Sequence, residues 1–337
     1  MAPRASSDAS PSRLWSASHG FWVVWVVHLG RRFGLLDALA SSRGPISPAT
    51  LARRARCDPN ATRLWCDAAL ALRVVRRRGR GIELPRPLAP LFVDPDDPAY
   101  FGGHFSYLAL RSLDFDAFDE LFRHGAVSAR PQRHLLEAFA EATRFDHTAF
   151  LKILLPRVPA LRRVLSGGCE VLDVGAGAGT WELRVAPAFP KSTFVGIEPN
   201  RAAVRMAEAQ AAREGLDGRV RFVVEKAETM QFNERFAVAY LGEMLCAGND
   251  PHAVLRACSR ALKPGGWIVV CEGLVDETRA PDAPGNDVVL PMQLEFALQP
   301  ARFLGKRELR GLLRAAGFRR PLFVDAGGGL FFAVARR

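Results

Sequence analysis

From residue 169 onward, short apolar runs alternate with helical stretches, and this alternation constrains the fold more than any other feature. Cys169-Glu-Val-Leu-Asp-Val, Thr193-Phe-Val-Gly-Ile, Val220-Arg-Phe-Val-Val, Phe236-Ala-Val-Ala-Tyr-Leu and Trp267-Ile-Val-Val-Cys read as strands, with a helix over Arg201 to Glu214. Strands separated by helix-length connections pair in parallel, and helices then cover both faces of the sheet. Such strands are apolar on both sides, which is how these runs read. The final segment, Gly317 to Arg337, carries two more strands around Gly327-Gly328-Gly329, so an antiparallel hairpin is expected at one edge.

Upstream the period changes to that of helices. Ser47-Pro48 precedes Ala49-Thr-Leu-Ala, and Asp58-Pro59 precedes a helix through Arg63 to Val75. Each pair supplies a capping side chain followed by Pro at the first helical position. Arg76-Arg77-Arg78-Gly79-Arg80-Gly81 then turns the chain, and Ile82-Glu83-Leu84 resumes as a short strand. Helix, turn, helix and hairpin make a winged-helix-like pattern. Phe21 to Ala40 reads as one helix or two, and a last helical run from about Gln132 to Leu165 breaks at Pro156 and Pro159. The expected organisation is a flexible tail over 1–15, a mainly helical domain over 16–150 and an α/β domain over 151–337.

With 49% hydrophobic and 24% charged residues the chain can bury a sizeable core, which excludes disorder, collagen-like repeats and small disulfide scaffolds. The six cysteines form no CxxC and have no His at zinc-finger spacing, so a reduced, cytoplasmic setting is expected. Phe21 to Leu29 is too short for a bilayer span of about 20 residues. Arg31 and Arg32 follow it without a cleavage pattern, which argues against a secretory signal. The segment is expected to be a buried helix packed on a second subunit, with no membrane contact. Net charge is +11, but the basic residues are 41 Arg and five Lys spread along the chain. Arg76, Arg77, Arg78 and Arg80, with Arg53, Arg54 and Arg56 nearby, favour phosphate binding. The dispersion of Arg157, Arg162, Arg184, Arg256, Arg302 and Arg310 opposes it, and nucleic acid is not the expected partner.

Between the first α/β strand and its helix lies Val171-Leu-Asp-Val-Gly-Ala-Gly-Ala-Gly-Thr, with Gly175, Gly177 and Gly179 spaced GxGxG rather than GxGxxG. Glycines there permit positive φ and close approach of a ligand to the backbone. The second strand ends in Glu198, placed to accept ribose hydroxyls, and Ala261-Leu-Lys-Pro-Gly-Gly-Trp turns into the fifth strand. In this order and spacing the chain, over about residues 168–337, resembles the class I S-adenosylmethionine-dependent methyltransferases. The resemblance implies a Rossmann-like sheet. It also implies a cofactor, S-adenosyl-L-methionine, with S-adenosyl-L-homocysteine as product. Asp173, Gly175, Ala176, Gly177 and Gly179 would hold the methionine end, Glu198 and Pro199 the ribose, and Ala227 and Glu228 the adenine. Where many members carry Asp after the third strand, this chain has Lys226.

The front half resembles the winged-helix-like dimerisation and substrate-capping domain of the multi-domain O-methyltransferases, through Gly34-Leu-Leu-Asp-Ala-Leu-Ala, Ile46-Ser-Pro-Ala-Thr-Leu-Ala, Pro59 to Leu72 and Tyr100 to Leu108. That implies a homodimer and a small-molecule substrate, and the aromatic residues Phe101, Phe105, Tyr107, Phe115 and Phe118 suit a largely apolar or aromatic one. Those enzymes place a His base just after the fourth strand; here the position is Cys246, and the supporting carboxylate upstream of the last helix is also absent. Transfer is then expected to rest on proximity and orientation. His147, His104, Glu243 and Cys246 are the candidate catalytic residues. Asp146, Glu243 and Glu295 are expected in solvent or in ion pairs, Trp181 either over the cofactor or in the core, and His252 at an exposed helix start. The acceptor atom (O, S, N or C) stays open. The alternatives are a protein of this fold that senses a ligand without methylating, and a nucleic-acid methyltransferase. No metal is expected.

Overall fold

The computed structural model describes residues 11–127, 133–246, 250–299 and 301–337. They gather into two compact units, one from the described residues up to Phe115 with 133–145, the other from 116–127 with Asp146–Arg337.

The first unit is helical. Its helices include Pro11–Arg32, Leu35–Ala40, Pro48–Ala55, Pro59–Ala71, Gly102–Arg111 and Arg133–Ala142. The capping residues act as the sequence predicts: the Ser47 side chain accepts from the Thr50 amide and Asp58 from that of Ala61, each with Pro next. A two-stranded ribbon follows, β1 (Arg76–Arg78) antiparallel to β2 (Gly81–Glu83), with Arg77 opposite Ile82. Ile82 turns inward and packs with Leu36, Leu51, Trp65 and Ala69 in one apolar cluster. Residues 11–15, expected in the tail, are helical, while 1–10 lie outside the described residues. On the first helix Val26 and Val27 are buried, whereas Leu14, Trp15, Phe21 and Trp22 are exposed.

Charges buried in this unit are paired. Arg31 meets Glu141 at 2.7 Å and also donates to Tyr100 Oη, Ser106 Oγ and two backbone carbonyls. Arg111, fully buried, donates to Asp114 at 2.6 Å, and Asp114 also meets His134 Nε2 at 2.9 Å.

The second unit is built on an eight-stranded sheet. Its strands are β3 (Glu170–Val174), β4 (Thr193–Ile197), β5 (Val220–Val223), β6 (Phe236–Gly242), β7 (Leu262–Val275), β8 (Leu304–Gly305), β9 (Arg319–Gly327) and β10 (Leu330–Arg336). The order is β5-β4-β3-β6-β7-β10-β9, with β8 on β7. β3 to β7 run parallel, and β10 pairs antiparallel with both β7 and β9. The mixed α/β class, the parallel centre and the terminal hairpin all match the expectation. The chain leaves β3 toward β4 on one side and returns to β6 on the other, so the order reverses at β3. Open α/β sheets bind ligands at such a switch point, beyond the carboxyl ends of the strands.

Two departures have local causes. β7 begins at Leu262 rather than Trp267, because Leu262 already pairs with Phe236 before the register shifts to Val238 with Trp267. The last front helical run is divided into Arg133–Ala142, Arg144–Ala149, a π-helical turn Phe150–Leu154, Leu155–Arg157 and Pro159–Gly167. Pro156 and Pro159 lie in the first turns of their segments, where a missing amide costs nothing. The two units part within this run, between Phe145 and Asp146.

Candidate active site

Beyond β3 the chain turns sharply on three glycines in the left-handed region, Gly175 (φ 82°), Gly177 (φ 54°) and Gly179 (φ 75°). The Gly175 and Ala176 amides both donate to Ile197 O at 2.9 Å, tying the loop to the end of β4. A side chain at Gly179 would strike the Phe222 ring, so that glycine serves packing. At Gly177 a Cβ would meet nothing within 4 Å: the loop is open there. Glu198 stands beside the opening with both carboxylate oxygens held by backbone amides, Oε2 by Gly177 at 3.1 Å and Oε1 by Asn200 at 2.9 Å. Pro199 is exposed next to it. The Glu198 amide donates to Val223 O and the Glu225 amide to Glu198 O, which lays the segment with buried Ala227 and half-buried Glu228 alongside. Lys226 is exposed.

Beneath the loop Asp173 is buried on β3. Burial pushes its carboxyl up to about 7, against the hydrogen bonding of Glu182, which lowers it. Glu182, on the helix Thr180–Val185, is fully buried, and burial followed by the Asp173 charge raises it well above the carboxylate range. The two carboxyls therefore compete for a negative charge that neither holds comfortably. Trp181 stacks on Tyr240 with centroids 4.1 Å apart and planes at 7°, and Phe150 meets both edge-on, so Trp181 belongs to the core.

At the carboxyl end of β6 the chain enters a second cluster. Glu243 adopts φ 51°, a left-handed conformation uncommon for a residue with a side chain. Its amide donates to Cys271 O, and its Oε1 accepts from the Gly273 amide at 3.0 Å. Glu272, on β7, returns the arrangement: its Oε1 accepts from the Leu245 amide at 2.6 Å. Cys246 Sγ donates to Glu243 O at 3.3 Å and lies 3.9 Å from Glu243 Oε2. Burial raises Glu243 to about 7. It raises Asp146 and Glu272 well above their ordinary values, Asp146 further through the charges of Glu243 and Glu272 and Glu272 through that of Glu243. The Cys246 thiol is also pushed up by burial and by both glutamates.

Of the acids expected in solvent or in ion pairs, Asp146 and Glu295 are buried and Glu243 is half-buried, and among the described residues no Lys or Arg acts on Asp146 or Glu243. His147 is half-buried on the helix Arg144–Ala149 next to Asp146. His104 belongs to the helical unit, stacked on Phe101 at 4.6 Å, and burial lowers it to about 4, which makes it a neutral packing residue there. His252 is exposed at the start of the helix Pro251–Ala261. Sequence reasoning missed Glu272 and Glu182. The signal for Glu272 was present, a carboxylate inside the apolar run Ile268-Val-Val-Cys-Glu of a strand covered on both faces.

Known proteins share parts of this chain and its fold. Residues 171–266 match the family model described as a methyltransferase domain. Ubiquinone biosynthesis O-methyltransferases of Pseudomonas entomophila (strain L48) and Pseudomonas fluorescens (strain SBW25) are 37% and 36% identical over 106 residues, 32% of this chain and 45% of each relative. The chain thus spans less than half the length of the curated relatives it matches. Among solved structures, human N-acetylserotonin methyltransferase in complex with SAM superposes with a TM-score of 0.73 at 20% identity, over 99% of both chains. The pyocyanin biosynthetic protein PhzM gives 0.70 at 18% identity, over 97% of this chain and 98% of its own. An α/β sheet of this order with a glycine loop at its switch point defines the class I methyltransferase fold. This chain has that fold, its residues 171–266 match the methyltransferase domain, and its helical front region superposes along with the sheet on these structures.

Proposed function

We propose that the chain is an S-adenosylmethionine-dependent methyltransferase acting on a small, largely apolar or aromatic molecule. The observation that carries this is the Glu198 carboxylate, fixed at both oxygens by the Gly177 and Asn200 amides beside a loop that is open at Gly177. A carboxylate held that way keeps lone pairs directed at a ribose diol. Asp173, buried with no Lys or Arg acting on it among the described residues, suits the cofactor's ammonium group. These residues fit the group, with Ala227 and Glu228 beside the adenine. When bound, S-adenosylmethionine supplies an electrophilic methyl group and leaves as S-adenosylhomocysteine.

The chain's own part is to bind, orient and accept a proton. Cys246 stands where the resemblance implies a His, and its raised thiol makes a poor base. Glu243, held near 7, is the residue at this place able to take a proton at neutral pH. Holding the acceptor in line with the methyl provides the remaining acceleration. An oxygen acceptor is the reading favoured by the relatives, which are named O-methyltransferases. Exposed Leu14, Trp15, Phe21 and Trp22 on the first helix support a homodimer through the helical unit. A cytoplasmic location remains part of the proposal; no helix among the described residues is long and apolar enough to cross a membrane.

The test is transfer of labelled methyl from S-adenosylmethionine to a fractionated small-molecule extract. Label in an apolar fraction, diminished in Glu243→Gln, is expected. Binding of S-adenosylhomocysteine without transfer to any fraction would favour the ligand-sensing alternative.

A further inference from the structure

Outside the cofactor loop, one cluster gathers buried carboxyls and a thiol with no cation among the described residues. Glu243 and Glu272 brace one another across the ends of β6 and β7. Each gives Oε1 to a backbone amide of the other's segment, Gly273 for Glu243 and Leu245 for Glu272. That fixes both carboxylates and leaves one oxygen on each. Glu272 is 1% exposed, and its Oε2 has no hydrogen-bond partner among the described residues. The Cys246 thiol stands beside the pair, and one potential ligand atom from each of the three residues lies within 4.8 Å of the others. Asp146, also buried, is a further carboxyl, raised by the charges of both glutamates. Among the described residues no Lys, Arg or His acts on Glu243, Glu272 or Asp146.

We propose that Glu243, Cys246 and Glu272 bind one divalent cation of the zinc class. A thiolate with two carboxylates selects a borderline ion such as zinc over magnesium or calcium, which take oxygen ligands alone. Three protein ligands with a fourth position open is the arrangement of catalytic rather than structural zinc. A tetrahedral shell brings ligand atoms to about 3–4 Å from one another, so small side-chain rotations close the set. The two backbone amides orient the carboxylates as outer-shell partners do in metal sites. The unpartnered Glu272 Oε2 gains a partner, and the ion supplies the positive charge the cluster lacks. Its use in catalysis rests on the methyl-transfer reading: an acceptor hydroxyl at the fourth position becomes more acidic and passes its proton to solvent, and with the ion bound Glu243 is a ligand in place of a base.

The binding itself needs no cofactor, and cobalt reports it directly. Full-length protein freed of metal by a chelator is titrated with Co²⁺ while the near-ultraviolet and visible spectrum is recorded. One equivalent is expected to bind, with a thiolate-to-cobalt band that Zn²⁺ abolishes. In Cys246→Ser the band is lost, and Glu272→Gln weakens binding by at least about tenfold; circular dichroism confirms that both variants are folded. Should Glu272→Gln not fold, Cys246→Ser decides alone, since Ser replaces a small buried side chain. A folded wild type that shows no thiolate band with cobalt, or a band of full strength in Cys246→Ser, would overturn the proposal. S-adenosylhomocysteine binding, measured on the same sample, reads the cofactor site separately.

Discussion

The two units treat buried charge in opposite ways. In the helical unit Arg31 meets Glu141, and Arg111 meets Asp114, with His134 on the other carboxylate oxygen. In the sheet unit Asp146, Asp173, Glu182, Glu243 and Glu272 are enclosed together with other carboxyls, and burial raises all five. The contrast is not a property of the sheet as such. Asp276, buried in the same unit, is met by Lys306 at 2.8 Å and Arg279 at 3.3 Å, and its carboxyl lies down at about 2. Balanced charges hold a scaffold in one geometry, whereas enclosed carboxyls without a cation keep their protons until a ligand brings a positive charge. The unbalanced set lies at the switch-point loop and at the end of the neighbouring strand, where an ammonium-bearing cofactor and its acceptor are proposed to sit.

Breaking the balanced side should cost most. Arg111→Met leaves Asp114 buried without its cation and is expected to lower unfolding free energy by about 3–5 kcal/mol, read by urea denaturation. A loss below 1 kcal/mol would show that the pair is not needed to hold the unit.

The unbalanced side predicts a pH dependence of the opposite kind to that of a salt-bridged carboxylate. Asp173 holds its proton up to about 7 in the folded chain, whereas an unfolded Asp releases it near 4. The unfolded state therefore binds fewer protons between those values, and ligand-free stability falls as pH rises from about 4 to 7. The slope from this group is at most about 1.4 kcal/mol per pH unit. Asp173→Asn should flatten it relative to wild type in urea midpoints taken across that range; parallel profiles would remove Asp173 from the account. Cofactor binding has the complementary sign, tightening as pH rises through 7 and Asp173 becomes charged.

The smallest effect is expected at the ribbon. Arg76 and Arg78 reach Glu83 at 2.6 and 3.4 Å on the surface and hold its carboxyl below the usual range. Exposed pairs of this sort add little, so Arg76→Ala should leave the thermal midpoint unmoved. A clear drop would mean that the ribbon is more than a surface feature.

Much of this contrast was written in the sequence, though not all of it in readable form. The change from helical period to alternating strands located the two halves, and the glycines with Glu198 located the loop, because each depends on local backbone needs. Cys246 was legible as a departure. What escaped was burial. Glu243 and Asp146 look like ordinary surface acids until β6, β7 and the helix Arg144–Ala149 close around them, and Glu272 differs from a solvent-facing strand residue only through its neighbours on both sheet faces. The π-helical turn Phe150–Leu154 that follows Asp146 has no sequence signature; turns of this kind recur at functional sites. The helix from Pro11 escaped because Ser, Ala and Pro dominate the stretch before it.

The claim on which the rest depends is that the open glycine loop and Glu198 hold the cofactor, and calorimetry with S-adenosylhomocysteine tests it directly. The full-length protein should bind one equivalent. Glu198→Ala, which removes a charged acceptor, should weaken binding by about 1.5–3 kcal/mol, or roughly 10- to 150-fold. No heat of binding in the wild type, or equal affinity in wild type and Glu198→Ala, would contradict the assignment of this site.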